Sequence, residues 1–428
     1  MKEKKEIIVV FEKIGHNGVS IGKYNNKIVF AYGVLPNEKA KILVLKEKKD
    51  YLEGELIEVI EKSPYRIEAK ENHYLSCSPW QTFDYNFQTK IKKFLLEEIF
   101  WDFAKERIEL SGFFKAEEIW EYRTKIEYSF FIDRKTDKVY FAFHKRGNYF
   151  EKVILENGCL LFDQKANYVA LEILKEINNQ SIRNLKTLII RKSYNFPYLH
   201  FSLLVTQENI NFDFWHEKLS GFSLIYSDPK SPASVITKFL KNRGSEELVE
   251  KINNLIIKYH FSSFFQNNLK LFEKALSLMD ENLDEVNKIV DLYCGVGVIG
   301  LYLAKKAKKV IGIDIDKKAI EFAKINAKEN EIFNFEGISL ASEKIDYEIL
   351  KNTDILILDP PRSGLHKKVI NLIRKVKPNK IFYLSCNPIT QARDYDLIKD
   401  LYKIEKIYGF DFYPNTNHLE SLLILSKK

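Results

Sequence analysis

Cysteine is scarce. The 428 residues hold four, at positions 77, 159, 294 and 386, with no short regular spacing. That argues against a disulfide framework and for reduced thiols in a cytoplasmic protein. No apolar stretch reaches the length of a membrane span. The five-residue apolar run behind Met-Lys-Glu-Lys-Lys-Glu at the N-terminus is too short for a signal peptide. Internal repeats and low-complexity tracts are absent as well. Charge of one sign is in short supply: 67 Lys and Arg against 59 Asp and Glu leave a net charge of +8, spread thinly. The balance leans toward a polyanionic partner without naming one. The abundance of Lys, Ile, Asn and Phe reads as coding bias as much as function. These absences leave a soluble cytoplasmic protein with no membrane association, long enough for two or three domains.

What is present divides into three stretches. Residues 1–62 read as an all-β unit, with strands near Ile7–Phe11, Lys27–Tyr32 and Lys41–Leu45 separated by glycine turns and Asn25-Asn26. Short strands so spaced suggest an OB-like barrel, either a nucleic-acid module or a structural one. After Ser63-Pro64, residues 63–260 read as α+β. A helix over about 85–106 carries Ile91, Phe94, Leu95, Ile99 and Phe103 on one face. It is free to pack on the domain that follows. Alternating strands fill 119–158, a helix follows near Gln164–Ile177, and strands recur at Leu185–Lys192 and Tyr198–Val205. The many aromatics on these strands read as core before they read as base-stacking platforms. From 261 to 428 strand and helix alternate, which argues a parallel sheet covered by helices.

The chemistry concentrates at strand ends in this last stretch. Ile381–Leu384 is a fully apolar strand that stops at Ser385-Cys386-Asn387-Pro388, delivering one thiol to the rim of a sheet. A nucleophilic thiol needs a polar or electropositive setting. Ser, Asn and Pro are residues of a turn, although a buried cysteine acting as a small hydrophobe stays open. Asp291-Leu-Tyr293-Cys-Gly295-Val-Gly297-Val-Ile-Gly300 follows a strand and opens a helix, with Asp314 ending the next strand. Such a fingerprint suits a nicotinamide dinucleotide, S-adenosylmethionine or a ligand-free turn. Asp359-Pro-Pro-Arg-Ser-Gly364 ends another strand, and its prolines hold a rigid loop. Asp291, Asp314, Asp359 and Cys386 therefore share the rim where open α/β sheets bind ligands. If the final apolar run, Leu422–Leu425, is antiparallel to the others, Glu420 begins on that rim and faces Cys386.

Phe265-Gln266-Asn-Asn268, the Asp291–Gly297 stretch, Asp359-Pro-Pro-Arg-Ser-Gly364, Ser385-Cys386-Asn-Pro388 and Pro414-x-Thr416-x-His418-x-Glu420 lie in an order and spacing that resemble one family. This is the S-adenosylmethionine-dependent RNA uracil-5-methyltransferases, specifically the bacterial ribosomal-RNA branch with an N-terminal TRAM domain. The resemblance implies a TRAM barrel over 1–62, a central α+β domain over 63–260 and a Rossmann-like methyltransferase domain over 261–428. It implies Cys386 as nucleophile, Glu420 as base, and Asp359 in contact with both cofactor and base. It further implies S-adenosylmethionine held by Gln266, Tyr293, Gly295, Gly297, Asp314 and Asp359. The substrate it implies is uridine in RNA, 23S ribosomal RNA before transfer RNA, handled by a monomer. A nicotinamide-dependent oxidoreductase leaves the Cys386 and Glu420 motifs unexplained. Many members hold an iron–sulfur cluster on four cysteines. Here Ser78, with Cys77 beside it, stands at the last of the first three positions, the earlier two are missing and Cys159 lies near the fourth, so the expectation is no cluster and no metal ligands. Asp314 stands where Glu is commoner, and Ala341 where a polar residue often meets adenine, which leaves Ser342 or backbone for that contact.

Overall fold

The computed structural model describes residues 5–232 and 234–428. Its first strands are β1 (Glu6–Ile14), β2 (Ser20–Tyr24), β3 (Lys27–Tyr32), β4 (Lys39–Glu47) and β5 (Tyr51–Glu61). They close into a barrel in the order β1-β2-β3-β5-β4. Alternation on β1 turns Ile7, Val9 and Phe11 into the barrel core. Asn25 and Asn26, both at positive φ, make the tight β2–β3 turn.

A single turn, α1 (Tyr74–Cys77), leads to α2 (Tyr85–Ala104) and β6 (Gly112–Phe114). Asp84 caps α2 by accepting from the Phe87 N–H, and Lys105 in the left-handed conformation ends it. Leu95 and Ile99 of the expected apolar stripe are buried, but the rest of the buried face differs from it. Phe94 and Phe103 are 52% and 44% exposed, whereas Gln88, Lys92, Leu96 and Phe100 are buried. The reason is polar. Lys92 Nζ lies 2.5 Å from Asp411 Oδ1, and Gln88 pairs with Asn415, so two buried polar anchors set the helix rotation.

The central sheet takes β7 (Lys125–Ile132), β8 (Val139–Lys145), β9 (Asn148–Leu155), β10 (Leu185–Lys192), β11 (Leu199–Val205), β12 (Gly221–Tyr226) and β13 (Lys238–Gly244). Their order is β13-β12-β11-β10-β7-β8-β9. Helix α3 (Gln164–Asn179) contributes Val169, Ile173 and Ile177 to a core with Tyr128, Phe141 and Phe201, so these aromatics are core. A hairpin, β14 (Glu247–Ile252) and β15 (Leu255–His260), connects to the last unit.

That unit runs α4 (Leu269–Glu281), β16 (Val286–Leu292), α5 (Val298–Leu303), β17 (Ala307–Asp314), α6 (Lys317–Glu329), β18 (Phe335–Ser339), α7 (Tyr347–Leu350), β19 (Ile355–Leu358), α8 (Lys367–Val376), β20 (Lys380–Ser385), α9 (Pro388–Asp396), β21 (Tyr402–Phe410) and β22 (Glu420–Lys427). The sheet order is β18-β17-β16-β19-β20-β22-β21-β6. β16 to β20 are mutually parallel, and β22 is antiparallel to both its neighbours. The edge strand β6 comes from the segment after α2, which itself packs against α9. Strand order reverses between β16 and β19, and the crevice at their carboxyl ends is where such sheets hold ligands.

Candidate active site

One cavity of about 1540 Å³ opens at that crevice. Pockets for drug-sized ligands span roughly 300–1,000 Å³, so this space has room for two reactants. Gln266, Tyr293, Gly295, Asp314, Asp359, Cys386 and Glu420 all line it. The register explains how distant residues meet. Ser385 on β20 pairs with Ser421 on β22, so one step further Cys386 stands opposite Glu420.

The cofactor-side loop is held by its own backbone. Tyr293 has φ 65°, a conformation costly for a bulky side chain. Its N–H donates to the Ile313 carbonyl at 2.8 Å. Gly295, φ 53°, faces open space where a side chain would intrude, and its N–H donates to Asp314 Oδ2 at 2.9 Å. Asp314 Oδ1 accepts from the Asp316 N–H. Gln266 donates to Asp359 Oδ2 at 3.4 Å. Ala341 and Ser342 line the same wall. Gly297 does not line the cavity. At φ 88° it starts α5, and a Cβ there would lie 3.1 Å from Ala323 Cβ, so its smallness serves the packing of α5 on α6. Asp291 is also off the cavity, fully buried and accepting from the Gly300 N–H.

Electrostatics set the protonation of the rim. Burial pushes the Cys386 thiol up to about 12, the Glu420 charge adds to this, and the Arg362 guanidinium opposes it. Burial, then Asp359, holds the Glu420 carboxyl well above the usual range. Burial and then Asp314 raise Asp359 to about 7, with the Gln266 hydrogen bond opposing. His418 is lowered to about 3 by burial and then Arg362, so it is a neutral partner of the Arg362 guanidinium 3.2 Å away. Sequence reading gave no role to Arg362, although it sits inside the Asp359–Gly364 motif. It also missed Arg123, a wall residue whose buried Nε has no hydrogen-bond partner among the described residues. Phe264 and Ile315, 66% and 72% exposed, add apolar surface at the cavity.

The four cysteines do not gather. Cys77 lies beside His73 and Glu71, Cys159 is buried in the loop after β9, Cys386 lines the cavity, and Cys294 is buried beside Gly312. Ser78 Oγ lies 3.0 Å from Cys77 Sγ. Two thiols cannot supply the four thiolates of an iron–sulfur cluster, so the residues present do not fit one. No helix among the described residues is long and apolar enough to cross a membrane.

Comparison with known proteins agrees with this geometry. Residues 84–428 match the model of the tRNA (uracil-5-)-methyltransferase family, and residues 2–57 match the TRAM domain. An uncharacterized RNA methyltransferase of Caldanaerobacter subterraneus subsp. tengcongensis is 32% identical over 99% of each chain. One from Clostridium tetani is 30% identical, over 100% of this chain and 99% of its own. The solved structure of the Pyrococcus abyssi tRNA (uracil-54, C5)-methyltransferase with S-adenosyl-L-homocysteine superposes with a TM-score of 0.76. It shares 23% identity over 98% of this chain and 100% of that one, a likeness of fold. The chain is an S-adenosylmethionine-dependent RNA methyltransferase that belongs to the tRNA (uracil-5-)-methyltransferase family and carries an N-terminal TRAM domain.

Proposed function

We propose that the protein methylates C5 of uridine in RNA through a covalent adduct between Cys386 and C6, with 23S ribosomal RNA as substrate. The observation that carries this reading is the cross-strand opposition of Cys386 and Glu420 in the cavity that Asp314 and Asp359 also line. C5 of uracil is a weak nucleophile because the ring is electron-poor. Bound S-adenosylmethionine supplies an electrophilic methyl group. Cys386 loses its proton to solvent and its sulfur adds to C6, and C5 of the resulting enolate takes that methyl as the sulfonium carbon–sulfur bond breaks and S-adenosylhomocysteine leaves. Glu420 then removes the C5 proton, the electron pair re-forms the C5–C6 double bond, and the Cys386 sulfur leaves. Gln266, Tyr293, Gly295, Asp314 and Asp359 hold the cofactor, with Asp359 also against the incoming base. The target uridine must leave its stack, at least cost from an unpaired loop.

Transfer RNA is the second reading. The Pyrococcus abyssi structure is matched over its full length, so the barrel is compatible with that substrate class too. A nicotinamide-dependent reaction has no support from the family match. We further assign RNA contacts to residues 1–62 and 63–260, chemistry to residues 261–428, and a monomeric, cytoplasmic state. Mapping 5-methyluridine by mass spectrometry in RNA from cells with and without the protein distinguishes the substrates.

A denaturing gel with methyl-labelled cofactor tests the mechanism. Cys386→Ala should give neither product nor adduct. Glu420→Gln should accumulate a labelled protein–RNA band, because addition and methylation proceed while elimination stalls. A labelled band from Cys386→Ala, or normal turnover by Glu420→Gln, would overturn the assignment.

A further inference from the structure

Three polar side chains of the segment between the barrel and α2 converge on the central sheet. Ligand atoms of Glu71, His73 and Cys77 all lie within 4.8 Å of one another. His73 Nδ1 is 3.3 Å and Glu71 Oε2 3.9 Å from Cys77 Sγ. Cys159, in the loop after β9, brings a second thiol next to this group, since its chain neighbours Gly158 and Leu160 hydrogen-bond His73 and Glu71. Tetrahedral zinc, with bonds of about 2.0–2.3 Å, separates its ligand atoms by roughly 3.3–3.8 Å. The His73–Cys77 and Glu71–Cys77 separations fall in or close to that range, whereas Cys159 stands outside the 4.8 Å group and has to close on it as the ion binds.

The surroundings are arranged as for ligands. His73 Nε2 is 3.1 Å from the Gly158 carbonyl. Donation there keeps the proton on Nε2 and leaves the Nδ1 lone pair facing the thiol. Glu71 Oε1 accepts from the Leu160 N–H at 2.6 Å, and Oε2 accepts from Gln81 at 3.0 Å. Metal sites orient their first ligands through just such outer hydrogen bonds. The charge balance points the same way. The Glu71 and His73 side chains are only 7% and 4% exposed, and Cys159 is fully buried. Among the described residues no Lys or Arg nitrogen forms an ion pair with Glu71; its one such partner is His73. Two thiolates and a carboxylate would outnumber the cationic groups that face them, His73 and Arg123.

We propose that Glu71, His73, Cys77 and Cys159 form a tetrahedral site for one zinc-class divalent cation. The expectation of no metal ligands rested on the cysteines missing from the cluster positions, and it gave Glu71 and His73 no role. Two thiolates, one imidazole and one carboxylate suit a borderline-soft ion. Binding releases the thiol protons to solvent. The ion would staple the segment after the barrel to the central sheet, and the proposal is independent of the methyl-transfer chemistry.

The test is elemental analysis of the full chain, purified with reductant and without a metal column, followed by cobalt(II) titration of the stripped protein. The expected result is about one zinc per chain and, on titration, one equivalent of cobalt. That cobalt should show intense tetrahedral d–d bands and thiolate-to-cobalt charge transfer. Cys77→Ser and Cys159→Ser should each weaken cobalt binding by tenfold or more and lose part of the charge-transfer band. The cobalt titration of unaltered protein keeps the test decisive where a variant fails to fold. A weak octahedral spectrum, the absence of stoichiometric binding, unchanged spectra in both variants, or a brown protein with about four irons would overturn the proposal.

Discussion

The Cys386 thiol carries its proton at neutral pH, since burial and Glu420 together hold it near 12. The Arg362 guanidinium is the group beside it that lowers the cost of losing that proton. Arg362→Met should therefore reduce kcat/KM at neutral pH by about tenfold or more, one unit in thiol acidity being a factor of ten. The rising limb of the pH profile should move to higher pH, while calorimetric cofactor affinity stays put. An unmoved profile would remove Arg362 from activation of the nucleophile. Asp359 makes a different statement, about stability. Its carboxyl is raised from 3.8 to about 7, by burial first and Asp314 second. A raised folded-state value means that its favourable contribution is complete below pH 3.8 and is lost as pH climbs through about 7. Asp359→Asn should thus leave stability unchanged in acid and raise it above neutral pH by about 1–3 kcal/mol. Urea midpoints measured across that range check the sign, and a variant weaker at pH 8 than at pH 4 relative to the parent would contradict it.

At the scale of elements, the docking of α2 rests on a buried charge pair. Lys92 and Asp411 are essentially inaccessible, and burial lowers the lysine's proton affinity against the pull of the carboxylate. Removing one partner strands the other. Lys92→Met should destabilise the protein by about 3–5 kcal/mol, and adding Asp411→Asn should restore part of that loss. Additive losses in the double variant would show that the pair is not coupled. The same pair explains a limit of sequence reading. Hydropathy selected Phe94 and Phe103 for the buried face, because no pattern in a single helix reveals a carboxylate 319 residues away. The strands ending in Asp314, Asp359 and Cys386 were legible, being short apolar runs closed by polar turns. So was the antiparallel β22, which brings Glu420 opposite Cys386. β18 (Phe-Glu-Gly-Ile-Ser) and the largely exposed, lysine-rich β13 were not, because neither has an apolar run or a sustained alternation. Gly297 has a packing role that its motif did not disclose. A fingerprint glycine looks like a ligand contact, and only the approach of Ala323 reveals a packing role.

At the scale of the whole molecule, the loop that carries His418 and Glu420 is held by all parts of the chain at once. Asn417 donates to the Asn17 carbonyl of the barrel at 2.7 Å. Trp80, in the segment before α2, donates through its indole to the Gly18 carbonyl and through its backbone N–H to the Asn415 carbonyl. Gln88 of α2 and Asn415 exchange two hydrogen bonds, and Tyr122 donates to the Pro414 carbonyl. The barrel is therefore a wall of the loop as well as a candidate RNA module. A chain starting near Ser63 should lose RNA affinity and part of its salt dependence if the barrel contributes phosphate contacts. It should lose turnover in addition, because the 414–420 loop gives up its contact with Asn17. Gly18→Ala separates the two effects. Gly18 has φ 77°, and an added Cβ would fall 2.1 Å from Asn417 Cβ, so the loop must shift while the barrel's outer surface is untouched. The expected outcome is cofactor and RNA affinities within about twofold of the parent. Single-turnover methylation should slow by about tenfold or more, the scale of loss that small misplacements of reacting groups produce. Turnover at the parental rate in Gly18→Ala would mean that the loop tolerates the displacement and that the barrel acts on RNA alone.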